Sequence, residues 1–447
     1  MNTSFISEPA RKVPVLYDAD ICVVGGSCTG LFAAVRAARP GARVVLVEKL
    51  NCFGGTATAS MVNIWHTPMN TTHERRIIGG LTTEVMDRLM VRDAVRRYAS
   101  DVSRGWEFNS EELKIELDEL VVENKIHPIL HAFYSSPVIE NDKVTAILVE
   151  TKSGRGAIRA SVFIDATGDG DLCRSAGIES IMASHLHPPT TCAKLSNWGG
   201  NDEHVNALLN EHRETYNLPE GFLWGAYVPG SDVYMLAGTR IYGVNTATTD
   251  DLTRAEIEGR RQVRAILDIV ERFDSRRVRI EALPSNVGTR ETYHIRSEYR
   301  MTGDDVLYGT RFNDAVANGS YRVDIHHQDK PGITFRYLDG TQVYLRPGYP
   351  KEIGRWRETI AEDPTFYQIP LRSLIPEGPL RNLLMAGRML DADPIAYSAL
   401  RVMVNMNQMG EAAGVAAWSM LDEGLGSDNL DAQKIRKLLE KGGSVVI

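Results

Sequence analysis

The stretch from Ile21 to Glu48 constrains this chain more than any other. Ile21 to Val24 is an unbroken apolar run, as expected of a strand buried on both faces. It leads into Gly25-Gly26-Ser27-Cys28-Thr29-Gly30. Leu31, Ala34, Val35 and Ala38 then recur at i, i+3, i+4 and i+7, one face of a helix, which Pro40-Gly41 ends. Arg43 to Glu48 reads as a second buried strand closed by a carboxylate, 23 residues after Gly25. Strand, glycine turn, helix, strand and acid in that order predict a parallel α/β unit. Its turn and positive helix end would grip a pyrophosphate, and its acid would accept ribose hydroxyls. Ser27 stands where a second glycine is usual. Its Cβ would crowd the ligand, whereas its hydroxyl could donate a hydrogen bond to it. The competing reading is an ordinary βα turn with Glu48 at the surface.

Three later stretches add to this unit. Gly54-Gly55-Thr56 follows Glu48 by six residues. The apolar run Val162-Phe163-Ile164-Asp165 enters Ala166-Thr167-Gly168, and Asn382 to Arg388 reads as another buried strand ending in Gly387. A simple nicotinamide-binding unit needs none of them, and no second complete glycine turn is evident. A dedicated NAD domain is therefore not expected.

With these motifs in this order, the chain resembles the FAD-dependent oxidoreductases of the glutathione-reductase structural group. It is similar to the members allied to fumarate-reductase flavoproteins and to the flavin subunit of heterodisulfide reductase. The resemblance runs from about Val15 to about Ser419. It includes Phe108-Asn-Ser-Glu-Glu-Leu-Lys114, Arg290-Glu-Thr-Tyr-His-Ile-Arg296, Tyr321-Arg-Val-Asp-Ile-His326, Tyr367-Gln-Ile-Pro370, Arg401-Val-Met403 and Gly410-Glu-Ala-Ala-Gly414.

The resemblance implies an α/β fold: a discontinuous Rossmann-like FAD-binding domain, a parallel sheet plus a β-meander, with an inserted α+β substrate domain. The expected segments are 15–184 and 363–425 for the FAD domain, 185–362 for the substrate domain and 426–447 for a C-terminal tail helix. It implies that Gly25, Gly26, Ser27, Cys28, Thr29 and Gly30 hold the pyrophosphate and that Glu48 takes the ribose. Lys49, Gly54, Gly55 and Thr56 would wrap the cofactor. Thr167 and Gly168 would close over it, Gly387 and Arg388 would border the ribityl chain, and Arg401 would complete the set. The meander is expected in HPILHAF, KVTAILVE and AIRASVFID, with turns at Ser135-Ser136-Pro137, Asn141-Asp142 and Ser153-Gly154. Helices are expected from Thr253 to Phe273 and from Ala399 to Met420. On the second, Gly410, Ala413, Gly414 and Ala417 share a face that can press onto a sheet or cofactor. Its positive end is expected to face the flavin.

Composition narrows the class. With 447 residues, 50 Lys+Arg against 58 Asp+Glu and a net charge of −8, the chain lacks the basic balance of a nucleic-acid binder. Its apolar share of 43% suits an ordinary globule, and no apolar run is long enough to span a bilayer. The five cysteines at 22, 28, 52, 173 and 192 contain no Cys-x-x-Cys. They predict reduced thiols in the cytoplasm, without glutathione-reductase-type disulfide chemistry. The partner expected is a small-molecule substrate, and a homo-oligomer is left open.

Flavin chemistry needs a proton acceptor beside the ring. His66, eleven residues beyond Gly55, is the first candidate, against a structural role beside Trp65. Arg290, His294 and Arg296 come next, as acceptor and anchors for a carboxylate or polyhydroxylated substrate, against an ion-paired surface. Asp324, His326 and His327 form a third group, for which a structural role is preferred. Tyr397 could shape the pocket floor or simply pack. His185, His187 and Cys192 lie in a Pro-rich loop that argues against a metal site. The expected activity is hydride removal from an alcohol or sugar, a hydroxy acid or an amine to flavin N5, with reoxidation by oxygen or a redox partner. The rivals are an NAD(P)H-dependent flavin monooxygenase and a non-catalytic FAD-binding protein.

Overall fold

Four of the apolar runs just described pair with His127–Ile129 in one parallel sheet of a computed structural model that describes residues 6–97, 105–327 and 330–447. The strand order is Leu383–Met385, Val162–Asp165, Ile21–Val24, Val44–Val47 and His127–Ile129, and every pairing is parallel. Ile21, Val23, Phe163, Ile164 and Leu46 are all 0% exposed. Each such side chain stabilises the fold by about 1.5–3 kcal/mol when fully buried. From Ile21–Val24 the chain first moves to one side, through the helix Cys28–Ala38, to Val44–Val47. Much later it returns on the other side at Val162–Asp165. Such a reversal opens a crevice at the carboxyl ends of the strands, where ligands bind in open α/β sheets.

The meander is present with different strands from those expected. His127–Ile129 belongs to the parallel sheet. The meander strand is Phe133–Glu140, which runs straight through the expected turn at Ser135-Ser136-Pro137. A register shift between Tyr134 and Ser136 absorbs those residues, the kind of irregularity a β-bulge accommodates. Lys143–Thr151 and Gly154–Arg159 follow in antiparallel order, and Val15–Asp18 closes the edge in parallel with Gly154–Arg159. Val162–Asp165 leaves this layer for the main sheet.

Between the returns to the main sheet lie two further four-stranded sheets. One comprises Trp224–Tyr227, Tyr234–Ala237, Cys192–Ser196 and Arg279–Ala282. The helices Asp202–His212 and Thr249–Phe273 share a core with it through Val205, Leu236, Val263 and Ile266. The other is the antiparallel run Val323–His326, Ile333–Arg336, Thr341–Leu345 and Glu352–Arg355.

The C-terminal helical region is broken. Asp393 caps Pro394–Leu400 by accepting from Ala396 N at 2.8 Å, and Pro394 occupies the first turn, where its missing N–H costs nothing. Val402 is extended (φ −71°, ψ 143°), and a second helix runs Met403–Glu423. The small-residue face of this helix meets the first helix of the chain. A Cβ on Gly410 or Gly414 would overlap the carbonyl of Thr29 or Ala33. The stripe is therefore a helix–helix crossing, not a surface for the cofactor. The helix Ala432–Lys441 packs against the same region.

Candidate active site

At the carboxyl edge of the parallel sheet lies a cavity of about 730 Å³, a size suited to a cofactor or drug-sized ligand. Val24, Gly25, Val47, Glu48, Ala166 and Gly387 bring the strand ends to its wall. Two helix N-termini also reach it, one through Cys28 and Thr29 and the other through Met403, Met406 and Asn407. A helix N-terminus carries partial positive charge.

The turn after the first strand is shaped for close approach. Gly25 has φ +103°, and a Cβ there would overlap the Ala166 carbonyl oxygen and lie 2.6 Å from its carbon. A Cβ on Gly30 would overlap the Gly25 carbonyl. Gly26 and Gly30 do not line the cavity but let this turn close. Ser27 caps the helix, with its Oγ 3.5 Å from Gly30 N. A Cβ on Gly55 would lie 2.8 Å from the Ser27 Cβ. Gly55 thus leaves the room that the extra atom of Ser27 needs.

Glu48 is 6% exposed. Its Oε2 accepts from Gly26 N at 2.6 Å and its Oε1 from Leu50 N at 2.8 Å. Burial pushes this carboxyl up, and those two bonds oppose the shift. Each oxygen keeps acceptor capacity for a hydroxyl. Asp165, quoted in the sequence motif without a role, organises the neighbouring turn. It accepts from Thr167 N at 3.0 Å, Thr167 Oγ1 at 2.8 Å and Cys173 N at 2.9 Å. Arg388 pairs with Asp169, which also accepts from Thr292 Oγ1 at 2.7 Å. Burial, and then the neighbouring Asp169 and Asp165, push Asp171 up to about 6, while Lys49 and Arg388 act in the opposite sense.

A polar cluster faces the same cavity. The His66 ring lies 4.1 Å from that of Tyr321, whose hydroxyl donates to Asp324 Oδ2 at 3.3 Å. Arg401 donates to the same oxygen at 3.2 Å, and His326 Nε2 sits 3.3 Å from Asp324 Oδ1. Burial, reinforced by Arg290 and Arg401, lowers His326 to about 4 despite Asp324. Its imidazole is neutral at neutral pH. Although burial alone would raise Asp324, a hydrogen bond from His326 and the charges of Arg401 and Arg322 hold it well below the carboxylate range. Arg240 and Arg290 complete this wall.

The expected site residues separate into three groups. Gly25, Ser27, Cys28, Thr29, Glu48, Lys49, Gly54, Gly55, Thr56, Thr167, Gly168, Gly387, Arg388, Arg401, His66 and Arg290 all line the cavity. Gly26 and Gly30 support its turn. His294 and Arg296 do not line it. The segment is a strand, Tyr293–Ile295. Within it His294 lies behind the wall, where its Nδ1 donates to Leu390 O at 3.0 Å and its Nε2 faces Glu291 Oε1 at 2.9 Å. Arg296 points to Glu179 and Asp391, at 3.7 and 3.6 Å. Tyr397 is also behind the wall, bonding the Arg290 carbonyl at 2.8 Å. Arg240 was not anticipated, and Asp324 and His326 carry more of the wall than their structural reading gave them. All five cysteines are free and buried, and burial drives Cys28 up to about 12. Among the described residues no cluster of His, Cys, Asp or Glu is arranged for a metal, and no helix is long and apolar enough to cross a membrane.

A strand-end crevice with a left-handed glycine turn, a buried carboxylate at the end of the second strand and two converging helix N-termini defines a dinucleotide-binding flavoprotein architecture. The family model of the FAD dependent oxidoreductases matches residues 20–439, and the chain belongs to that family. Its cofactor is FAD. No curated protein matches significantly. Solved structures that align with the chain include a geranylgeranyl bacteriochlorophyll reductase-like protein from Thermoplasma acidophilum, 13% identical, covering 95% of this chain and 84% of that one with a TM-score of 0.47. They also include a flavoprotein/dehydrogenase from Cytophaga hutchinsonii, at 12%, 95%, 83% and 0.45. A third is p-nitrophenol 4-monooxygenase from Pseudomonas putida, at 10%, 96%, 84% and 0.44.

Proposed function

We propose that this FAD-dependent oxidoreductase oxidises a small polar metabolite at a C–H bond beside oxygen or nitrogen. The observation that carries this reading is that one cavity holds both the strand-end glycine turns and the His66, Tyr321, Asp324 and His326 cluster. Bound FAD supplies the hydride acceptor. The protein must then orient the substrate, exclude water and take the proton released from its O–H or N–H group. His66 is the proposed acceptor of that proton. Tyr321, held by Asp324, fixes the imidazole from one side. Residues 185–362 form the proposed substrate domain, which brings Asp324, His326, Arg240 and Arg290 to the cavity. Oxygen or a redox partner would reoxidise the flavin.

The test is anaerobic. The FAD-loaded protein is mixed with sugars, hydroxy acids and amines, and bleaching of the flavin is followed. At least one compound is expected to bleach it. His66→Ala is expected to keep FAD and slow that bleaching by about tenfold or more, since general-base groups contribute roughly 10²–10⁴-fold. Unchanged kinetics would remove His66 from the mechanism. Rapid bleaching by NADPH with no metabolite bleaching would replace this reading with the monooxygenase one.

A further inference from the structure

Arg240, Arg290 and Arg401 reach the cavity from three separate parts of the chain. Arg401 is tied to Asp324, yet its Nε is buried without a hydrogen-bond partner. Arg240 is 6% exposed, and among the described residues its guanidinium donates only to the carbonyls of Phe222 and Gly238, at 3.0 and 3.3 Å. Arg290 donates to the carbonyl of Pro188. Among the described residues neither Arg240 nor Arg290 forms an ion pair with a carboxylate. Burial, then Arg401 and Arg240, lower Arg290 to about 10, which leaves it charged at neutral pH. A guanidinium has five donors in a planar fork, so each of these side chains keeps donors to spare. Buried charge without a counter-charge is costly. With Arg401 paired to Asp324, the two cations Arg240 and Arg290 leave this wall with an excess of positive charge. Tyr397 and Pro188 fix Arg290 from behind, so this donor is held in place before any ligand arrives.

We infer that this wall binds an anionic oxygen group of the substrate, a carboxylate or a phosphate, through Arg290 and Arg240. The inference rests on the proposed oxidation of a polar metabolite in this cavity and narrows its substrate to acids or phosphate esters. Arg401, already engaged by Asp324, contributes field more than a direct grip. Neutral His326 beside it can accept a hydrogen bond without adding charge.

The experiment uses the FAD-loaded protein and does not require turnover. Oxalate, malonate and inorganic phosphate are titrated against it, with uncharged ethylene glycol as control, and the perturbed flavin absorbance and heat of binding are recorded. At least one anion is expected to bind saturably. Preference for oxalate or malonate assigns a carboxylate, and preference for phosphate assigns a phosphate ester. Arg290→Met and Arg240→Met are each expected to weaken that binding at least tenfold with FAD content unchanged, and Arg290→Lys is expected to recover part of the loss. Should Arg290→Met fail to fold, Arg240→Met and Arg290→Lys carry the comparison. Three results would overturn the inference: no anion binding, equal affinity in wild type and variants, or loss of FAD from both methionine variants, which would assign the arginines to the cofactor. If anions bind yet no metabolite bleaches the flavin, the oxidation reading fails and the anion site stands. If neutral alcohols bleach it and anions do not bind, the reverse holds.

Discussion

Gly25→Ala is expected to yield a chain without bound flavin. At φ +103° an L side chain is strained wherever it sits, at a cost of about 1–3 kcal/mol. Here the added Cβ would also drive into backbone, the carbonyl of Ala166 and the Thr167 nitrogen 2.9 Å away. Neither can swing aside as a side-chain tip could. Ala166 N is bound to Val24 O, and Gly25 N to Val47 O, both at 2.8 Å. The two strand ends must therefore part, and both belong to the wall of the cavity. FAD per purified chain should fall by roughly tenfold or more, because the turn places the N–H groups that hold the pyrophosphate. The control is Gly41→Ala. Gly41 has φ +116° but nothing within 4 Å of its Cβ position, so it should lose stability alone and keep its flavin. Equal FAD content in the two variants would defeat the argument from backbone overlap.

The second large effect is expected at Glu411. This carboxylate is 1% exposed and pairs with Arg36, itself 5% exposed, through Arg36 Nε at 2.7 Å. It also accepts from Leu81 N at 3.1 Å and Ser444 Oγ at 3.2 Å. Burial raises its carboxyl and Arg36 opposes that rise. Glu411→Ala would strand a buried guanidinium and a buried N–H, which should cost about 3–5 kcal/mol. The denaturant midpoint measures this. Joint replacement, Arg36→Leu with Glu411→Leu, removes both charges and should cost less than the single change. A double variant as unstable as the sum of the two single ones would show that the pair acts by packing alone.

The main sheet was legible because strands covered on both faces must be continuous apolar runs, and Ile21–Val24 and Val162–Asp165 are. That Glu48 and the 166–168 turn meet the cavity was legible because tight turns at strand ends require local backbone geometry, and local geometry leaves glycines at set spacings. Elsewhere the deciding partner was distant. Ser135-Ser136-Pro137 reads as a turn until Leu148 and Ile147 pair with Ser136 and Pro137. The break at Val402 has no proline or glycine to announce it. Arg290 and Arg296 look alike in sequence, yet only Arg290 meets the cavity, since the strand between them is held by Ser180–Met182. Arg240 had no local mark at all. Its role depends on residues up to 161 positions away, as at Arg401.

The main sheet is laced from strands as far apart as Ile21–Val24 and Leu383–Met385. A ribosome must therefore deliver the chain as far as Met385 before the main sheet that walls the cavity can be complete. The early segments wait with open edges, and pairings of such long sequence separation form slowly. Cofactor captured at that late moment fastens the first and last parts of the chain together, favouring the finished state over every shorter one by mass action. Yellow colour should then report synthesis beyond Met385 as much as correct folding.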